Sequence, residues 1–132
     1  MSSEMIITFP GGRRVDASFD GFTIHTDQSV AHGGEGSAPE PYATFLASWA
    51  TCAGVFALIF CQKRGIPTDG IRLVQRVTRT DKGDVAAIDL DIEVPPGFPE
   101  KYRKPVAAAA AACAVKKTIE HPPEFRVNTV VK

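Results

Sequence analysis

Between Met5 and about Gln28, apolar and polar positions alternate in short runs: Met5-Ile6-Ile7-Thr8-Phe9, then Arg14-Val15-Asp16-Ala17-Ser18-Phe19, then Phe22-Thr23-Ile24-His25-Thr26. Pro10-Gly11-Gly12 and Asp20-Gly21 stand between them. A period of two broken by turn-formers predicts three short antiparallel strands in a meander. Residues 31–41 carry Gly33, Gly34, Gly36, Pro39 and Pro41. They read as a flexible loop ending in a proline suited to the first position of a helix.

The pattern then changes. Tyr42 to Cys61 carries no charge over about 20 residues, a length at which a membrane span must be weighed. That reading is set aside, because the segment holds Thr44, Ser48, Thr51 and Gly54, stands alone, and lies between amphipathic strand-like segments. A central helix wrapped on all sides by protein accounts for the same residues. Ala43, Ala47, Ala50, Gly54 and Ala57 fall near helical spacing, so one face is expected to let a second helix approach closely. Gln62-Lys63-Arg64-Gly65 ends the helix, with cations at the negative end of the dipole and Gly65 in a left-handed cap.

Ile71–Thr80 and Val85–Val94, joined by Asp81-Lys82-Gly83-Asp84, predict a hairpin with one wet face, because Ala86, Ile88, Leu90, Ile92 and Val94 alternate with Asp89, Asp91 and Glu93. Pro95-Pro96-Gly97 breaks it. A second helix is expected from Glu100 or Pro105 through six consecutive alanines, past Cys113, to Glu120, lying against the small face of the first, with Phe125 to Val131 as a final strand.

The 132 residues suit a single domain with its own core. Fifteen basic and fifteen acidic side chains cancel, so no net field draws a polyanion and nucleic acid is not expected as a partner. Met1-Ser2-Ser3-Glu4 has no basic patch before an apolar stretch, which points to a cytoplasmic protein without a targeting segment. His25, His32 and His121 share no metal-ligand spacing with one another or with cysteine, so neither metal nor cofactor is expected. Gly33-Gly34-Glu35-Gly36 has no following lysine and does not read as a phosphate cradle.

The three cysteines, Cys52, Cys61 and Cys113, are expected as free thiols in a reducing compartment. Cys52 and Cys61 are nine positions apart on one helix, about 13 Å along its axis, too far for a disulfide. Any intramolecular pair therefore includes Cys113, with either of the others as partner. Buried cysteines also serve simply as small apolar residues.

Pro41-Tyr42-Ala43-Thr44-Phe45-Leu46-Ala47-Ser48-Trp49-Ala50-Thr51-Cys52 resembles the proline-led helix that carries the reactive cysteine in the OsmC/Ohr family, and Ala111-Ala112-Cys113-Ala114-Val115-Lys116-Lys117-Thr118-Ile119 is similar to that family's second-cysteine segment. The order of elements is similar as well: meander, cysteine helix, hairpin, second cysteine helix, final strand. The resemblance implies an α+β fold in which an antiparallel sheet packs on two central helices, assembled as an intertwined homodimer. It implies reduction of organic hydroperoxides by Cys52, with Cys113 as the resolving thiol and a dithiol as reductant. Cys61 has no counterpart and is assigned to packing.

Such chemistry needs a thiolate, and a free thiol titrates near 8.5. Cys52 lies about three turns into its helix, beyond the reach of that helix's own dipole, so a cation is expected from elsewhere. In the family an arginine of the meander, held by a glutamate, serves; Arg13 or Arg14 is the match, an exposed turn residue being the alternative. The family's glutamate position is Tyr42 here. Glu40 in the loop is the nearest substitute and Glu35 a more distant one. Lys116 and Lys117, one turn past Cys113, either bias its thiol or are simply solvated. A second function compatible with the missing glutamate is a binding module that holds a hydrophobic small molecule near Trp49 and Phe56.

Overall fold

The computed structural model describes residues 3–132. Its contacts divide the chain into two compact units, Met1–Ala47 and Ser48–Lys132.

The first unit is the meander. β1 (Ile6–Gly11), β2 (Arg14–Phe19) and β3 (Phe22–Thr26) form an antiparallel sheet in that order. Ile6 opposes Ser18, and Phe19 opposes Phe22 across a tight turn in which Asp20 and Gly21 both take positive φ. A shift in register between Thr8 and Gly11 absorbs Pro10, which has no N–H for the ladder.

The loop after β3 is not slack. Asp27 is buried, and its carboxylate accepts from the backbone N–H of Gln28 (2.7 Å), the backbone N–H of Ser37 (3.0 Å) and the Ser37 hydroxyl (2.7 Å). Asp27 donates its own N–H to Pro39 O at 3.2 Å, while Gly36 and Gly34 donate to Gln28 O and Ser29 O. A Cβ at Gly34 would stand 2.1 Å from Gln28 O. Here glycine is required by space, and the expected flexible loop is a pinned one. The hydrogen bonds to Asp27 hold its pKa down to about 2, those from Ser37 first, against the opposing effect of burial.

α1 (Pro41–Lys63) starts at the expected proline and continues into the second unit. It stops as expected: Gly65 takes φ 64°, Ile66 N–H donates to Cys61 O (3.0 Å) and Gly65 N–H to Gln62 O (3.3 Å), the double bond of a Schellman cap. Arg64 folds back, its guanidinium 3.6 Å over the Phe60 ring and donating to Phe60 O. By length and composition α1 is apolar enough to cross a membrane.

In the second unit β4 (Arg72–Arg79) and β5 (Val85–Glu93) form the antiparallel hairpin. Its wet face is laced by Arg72–Glu93 and Arg76–Asp91 ion pairs. Leu73, Leu90, Ile92 and Val94 pack from the other side on a core of Ala53, Ala57, Phe60, Cys61, Phe98, Val106, Ala110 and Cys113. The fold is α+β.

Three expectations are corrected. Within a single chain α1 is covered on one side: Ala53, Ala57, Phe60 and Cys61 are its buried residues, while Val55, Phe56, Leu58 and Ile59 are exposed. The buried stripe also sits differently from the small-residue face, since Gly54 faces Leu73 of the hairpin and Ala43 and Ala47 are exposed. Composition shows which residues are small but not which side of the helix the hairpin occupies. Second, the alanine helix is broken. A 3₁₀ turn at Glu100–Tyr102 leads into α2 (Arg103–Ala111), and α3 (Ala114–Glu120) follows as a separate helix. Third, residues 122–132 form neither helix nor strand and pair with no strand among the described residues, and Phe125 and Val127 are 83% and 98% exposed.

Candidate functional site

The break between α2 and α3 is where two cysteines meet. Nothing in Ala111-Ala112-Cys113-Ala114 compels a helix to stop, as neither Gly nor Pro is present. Yet Cys113 is extended (φ −70°, ψ 153°) and caps α3. The first bond of the new helix is Lys117 N–H to Cys113 O, at 3.1 Å. The amides of Ala114 and Val115 are left without a partner inside the helix, as at any helix start.

They are taken up by a thiol. The Cys52 sulfur, half-buried on α1, accepts from the backbone N–H of Val115, from that of Ala114 and from the Cys113 thiol. These donors favour the thiolate, Val115 most strongly, and together they outweigh burial, so the Cys52 thiol titrates below its ordinary range. The positive end of a helix does lower this thiol, but it is α3 rather than α1 that supplies it. Cys113 is 0% exposed. All three cysteines are free thiols.

Cys61 behaves oppositely. It is 1% exposed in the core, and burial pushes its thiol up, only partly countered by Arg64.

A cleft of about 540 Å³ is lined by residues that neighbour Cys52 and Cys113 in sequence, though by neither cysteine itself. Trp49 and Ala53 of α1, which flank Cys52 along the helix, form one wall, with Val106 and Ala110 of α2 and residues 88–92 of β5 opposite. Lys116 also lines it, and Phe56 does not. The Trp49 Nε1–H is buried without a hydrogen-bond partner among the described residues.

The charged candidates belong to the first unit. Arg14 donates to Gly11 O across its own turn (3.3 Å). Arg13 reaches the loop before α1, where its guanidinium carbon would be 3.4 Å from a Cβ at Gly33. Glu40 holds neither arginine: its carboxylate meets His32 Nδ1 at 2.6 Å. Among the described residues no group of three or more His, Cys, Asp or Glu side chains is placed to hold a metal.

Residues 34–128 match the family model described as OsmC-like protein. The chain belongs to the OsmC-like family. Its fold is shared with a protein of Psychrobacter arcticus 273-4 named for osmotic stress induction and a detoxification response, at 25% identity over 92% of this chain and 90% of that one, with a TM-score of 0.75. An OsmC-like protein of Mycoplasma pneumoniae is similar at 16% identity, 92% and 89% coverage and TM-score 0.72. A Legionella pneumophila protein named organic hydroperoxide resistance protein OsmC is similar at 22% identity, 88% coverage of each chain and TM-score 0.56. No curated protein matches in sequence.

Within this OsmC-like chain the sequence reading named Cys52 and Cys113 as candidates and missed the amides of Ala114 and Val115 that reach Cys52. A backbone N–H has no signature of its own. The one available signal was indirect: a cysteine followed by a residue able to open a helix.

Proposed function

We propose that this OsmC-like protein reduces organic hydroperoxides, using Cys52 as nucleophile and Cys113 as resolving thiol. The observation that carries the reading is the convergence of the Cys113 thiol and two backbone amides on the Cys52 sulfur. The Cys52 thiolate attacks the outer peroxide oxygen, the O–O bond breaks, and an alcohol leaves once the alkoxide is protonated. Cys52 is then a sulfenic acid. The neighbouring Cys113 thiol attacks its sulfur, water is released, and a disulfide forms. A dithiol returns both cysteines to thiols by exchange.

The amides do two jobs in this scheme. They hold negative charge on sulfur before attack, and they fix Cys113 next to the sulfur that it must reach. Arg13 is the better placed of the two candidate arginines for a role near the start of α1, because Arg14 is spent on its own turn. The Legionella relative's name supports hydroperoxide as substrate. The chain is proposed to act as a cytoplasmic homodimer, the exposed side of α1 and the apolar tail being covered by a second copy.

Mixing fully reduced protein with cumene hydroperoxide is expected to consume one peroxide per chain and to leave a Cys52–Cys113 disulfide with Cys61 still free, read by peptide mapping. Unchanged peroxide with three free thiols would overturn the proposal. Cys113→Ser is expected to stop after one turnover with a dimedone-reactive Cys52.

A further inference from the structure

The charged side chains that line the 540 Å³ cleft are Asp89, Asp91, Arg103 and Lys116, and they are not alike. Asp89, Asp91 and Arg103 are exposed, and Asp91 is already paired with Arg76 of β4. Of the four, Lys116 is the one drawn half out of solvent. Its ammonium has no ion-pair partner among the described residues. Lys117, the next residue, is exposed and does not line the cleft. A lysine ordinarily carries its head out to water along an apolar stem. Withdrawing that head part-way from water with nothing opposite it costs free energy that an anion in the cleft would return.

The rest of the lining sets the body of such an anion. Trp49 and Ala53 of α1 and Val106 and Ala110 of α2 are apolar, and a cleft of this volume suits a small organic molecule. An acidic head with a hydrocarbon body answers both features. The exposed Asp89 opposes an anion only weakly, because water and salt screen it.

The cleft also adjoins the segments that carry the thiol chemistry. Trp49 and Ala53 stand three residues before Cys52 and one after it, so all three share one side of α1. Lys116 directly follows Val115, whose backbone N–H holds the Cys52 sulfur. A molecule gripped at Lys116 is thus held beside the turn of α3 that serves the thiol. We propose that Lys116 is a specificity-determining residue of the thiol site, its ammonium holding the carboxylate of an anionic organic hydroperoxide whose hydrocarbon body lies along Trp49, Val106 and Ala110. This rests on the hydroperoxide reading above and narrows it to substrates that carry a negative charge.

The test uses the full-length chain and two forms of one peroxide, cumene hydroperoxide bearing a para carboxylate and the methyl ester of the same compound. The unmodified chain is expected to favour the acid over the ester by about tenfold in kcat/KM, the worth of one charge-assisted contact. Lys116→Met is expected to bring that ratio close to one through the KM for the acid, Lys116→Arg to restore most of it, and Lys117→Met to leave it as it was. No preference for the acid in the unmodified chain, or a preference that Lys116→Met does not reduce, would overturn the proposal. Alkylation of Cys52 needs no peroxide turnover and so separates the two readings. Iodoacetate carries a charge that iodoacetamide lacks, and the ratio of their rates at Cys52, read by peptide mass spectrometry, is expected to fall about threefold in Lys116→Met. If neither peroxide is reduced and this ratio still falls, the hydroperoxide reading is lost while Lys116 keeps its anion. If both peroxides are reduced and neither ratio moves, the assignment of Lys116 alone is lost.

Discussion

The donors that reach the Cys52 sulfur differ in how each can be removed. In the proposed reaction the Cys113 thiol would be consumed, while the amides of Ala114 and Val115 would persist through it. Ala114 is the first residue of α3, and Cys113 before it is already extended, so proline fits at 114 without disturbing the helix. Ala114→Pro deletes one N–H and little else. Its expected effect is an upward movement of the pH profile for Cys52 alkylation and about tenfold slower alkylation at neutral pH, as suits the loss of a hydrogen bond to a charged group. Circular dichroism unchanged beside an unchanged alkylation profile would show that this amide does not hold the thiolate. Cys61→Ser, by contrast, is expected to leave peroxide turnover within about twofold, because its thiol is buried and held protonated.

At the scale of elements, the loop 27–40 and the α2–α3 break are the two segments that composition described least well. Asp27 organises the first through three hydrogen bonds. Its folded pKa of about 2 lies below the ordinary 3.8. A depressed carboxylate stabilises the folded state fully above the unfolded value, and that stability is lost as pH falls from about 3.8 through about 2. Urea unfolding between pH 5 and pH 2 is expected to show this decline, and Asp27→Asn is expected to flatten it. Gly34→Ala, whose Cβ would stand 2.1 Å from Gln28 O, is expected to cost about 2 kcal/mol or more in the same assay. A loss below about 0.5 kcal/mol would mean that the loop does not hold this conformation in solution.

For the whole molecule, the exposed apolar residues carry the consequence. Val55, Phe56, Leu58 and Ile59 on α1, Ile6, Ile7 and Phe9 on β1, and four large residues of the tail are all exposed in a single chain. Patches of this extent mark association surfaces. Size-exclusion chromatography with light scattering in detergent-free buffer is expected to give twice the 14.2 kDa chain mass. A monodisperse monomer would remove the dimer, and aggregation relieved only by detergent would favour a membrane for α1.

Much of this molecule could be read along the chain. The meander, the start of α1 at Pro41, its stop at Gly65, the hairpin and the two cysteine segments all follow from local signals, because turns, caps and alternation are set by residues a few positions apart. The sequence also singled out the cysteines and offered Cys113 as a member of any intramolecular pair. What it did not determine lies in long-range packing. Which stripe of α1 is buried depends on where the hairpin lies, so Ala53 is covered and Ala47 is not. Asp27 reads as one more polar loop residue until Ser37 folds over it. The alanine run favours an unbroken helix by propensity, and only the approach of Cys52 from α1 gives the freed amides of Ala114 and Val115 something to bind. Local preferences are worth tenths of a kcal/mol per residue, whereas orphaned amides and buried charge cost whole ones, so at the thiol site tertiary structure prevailed.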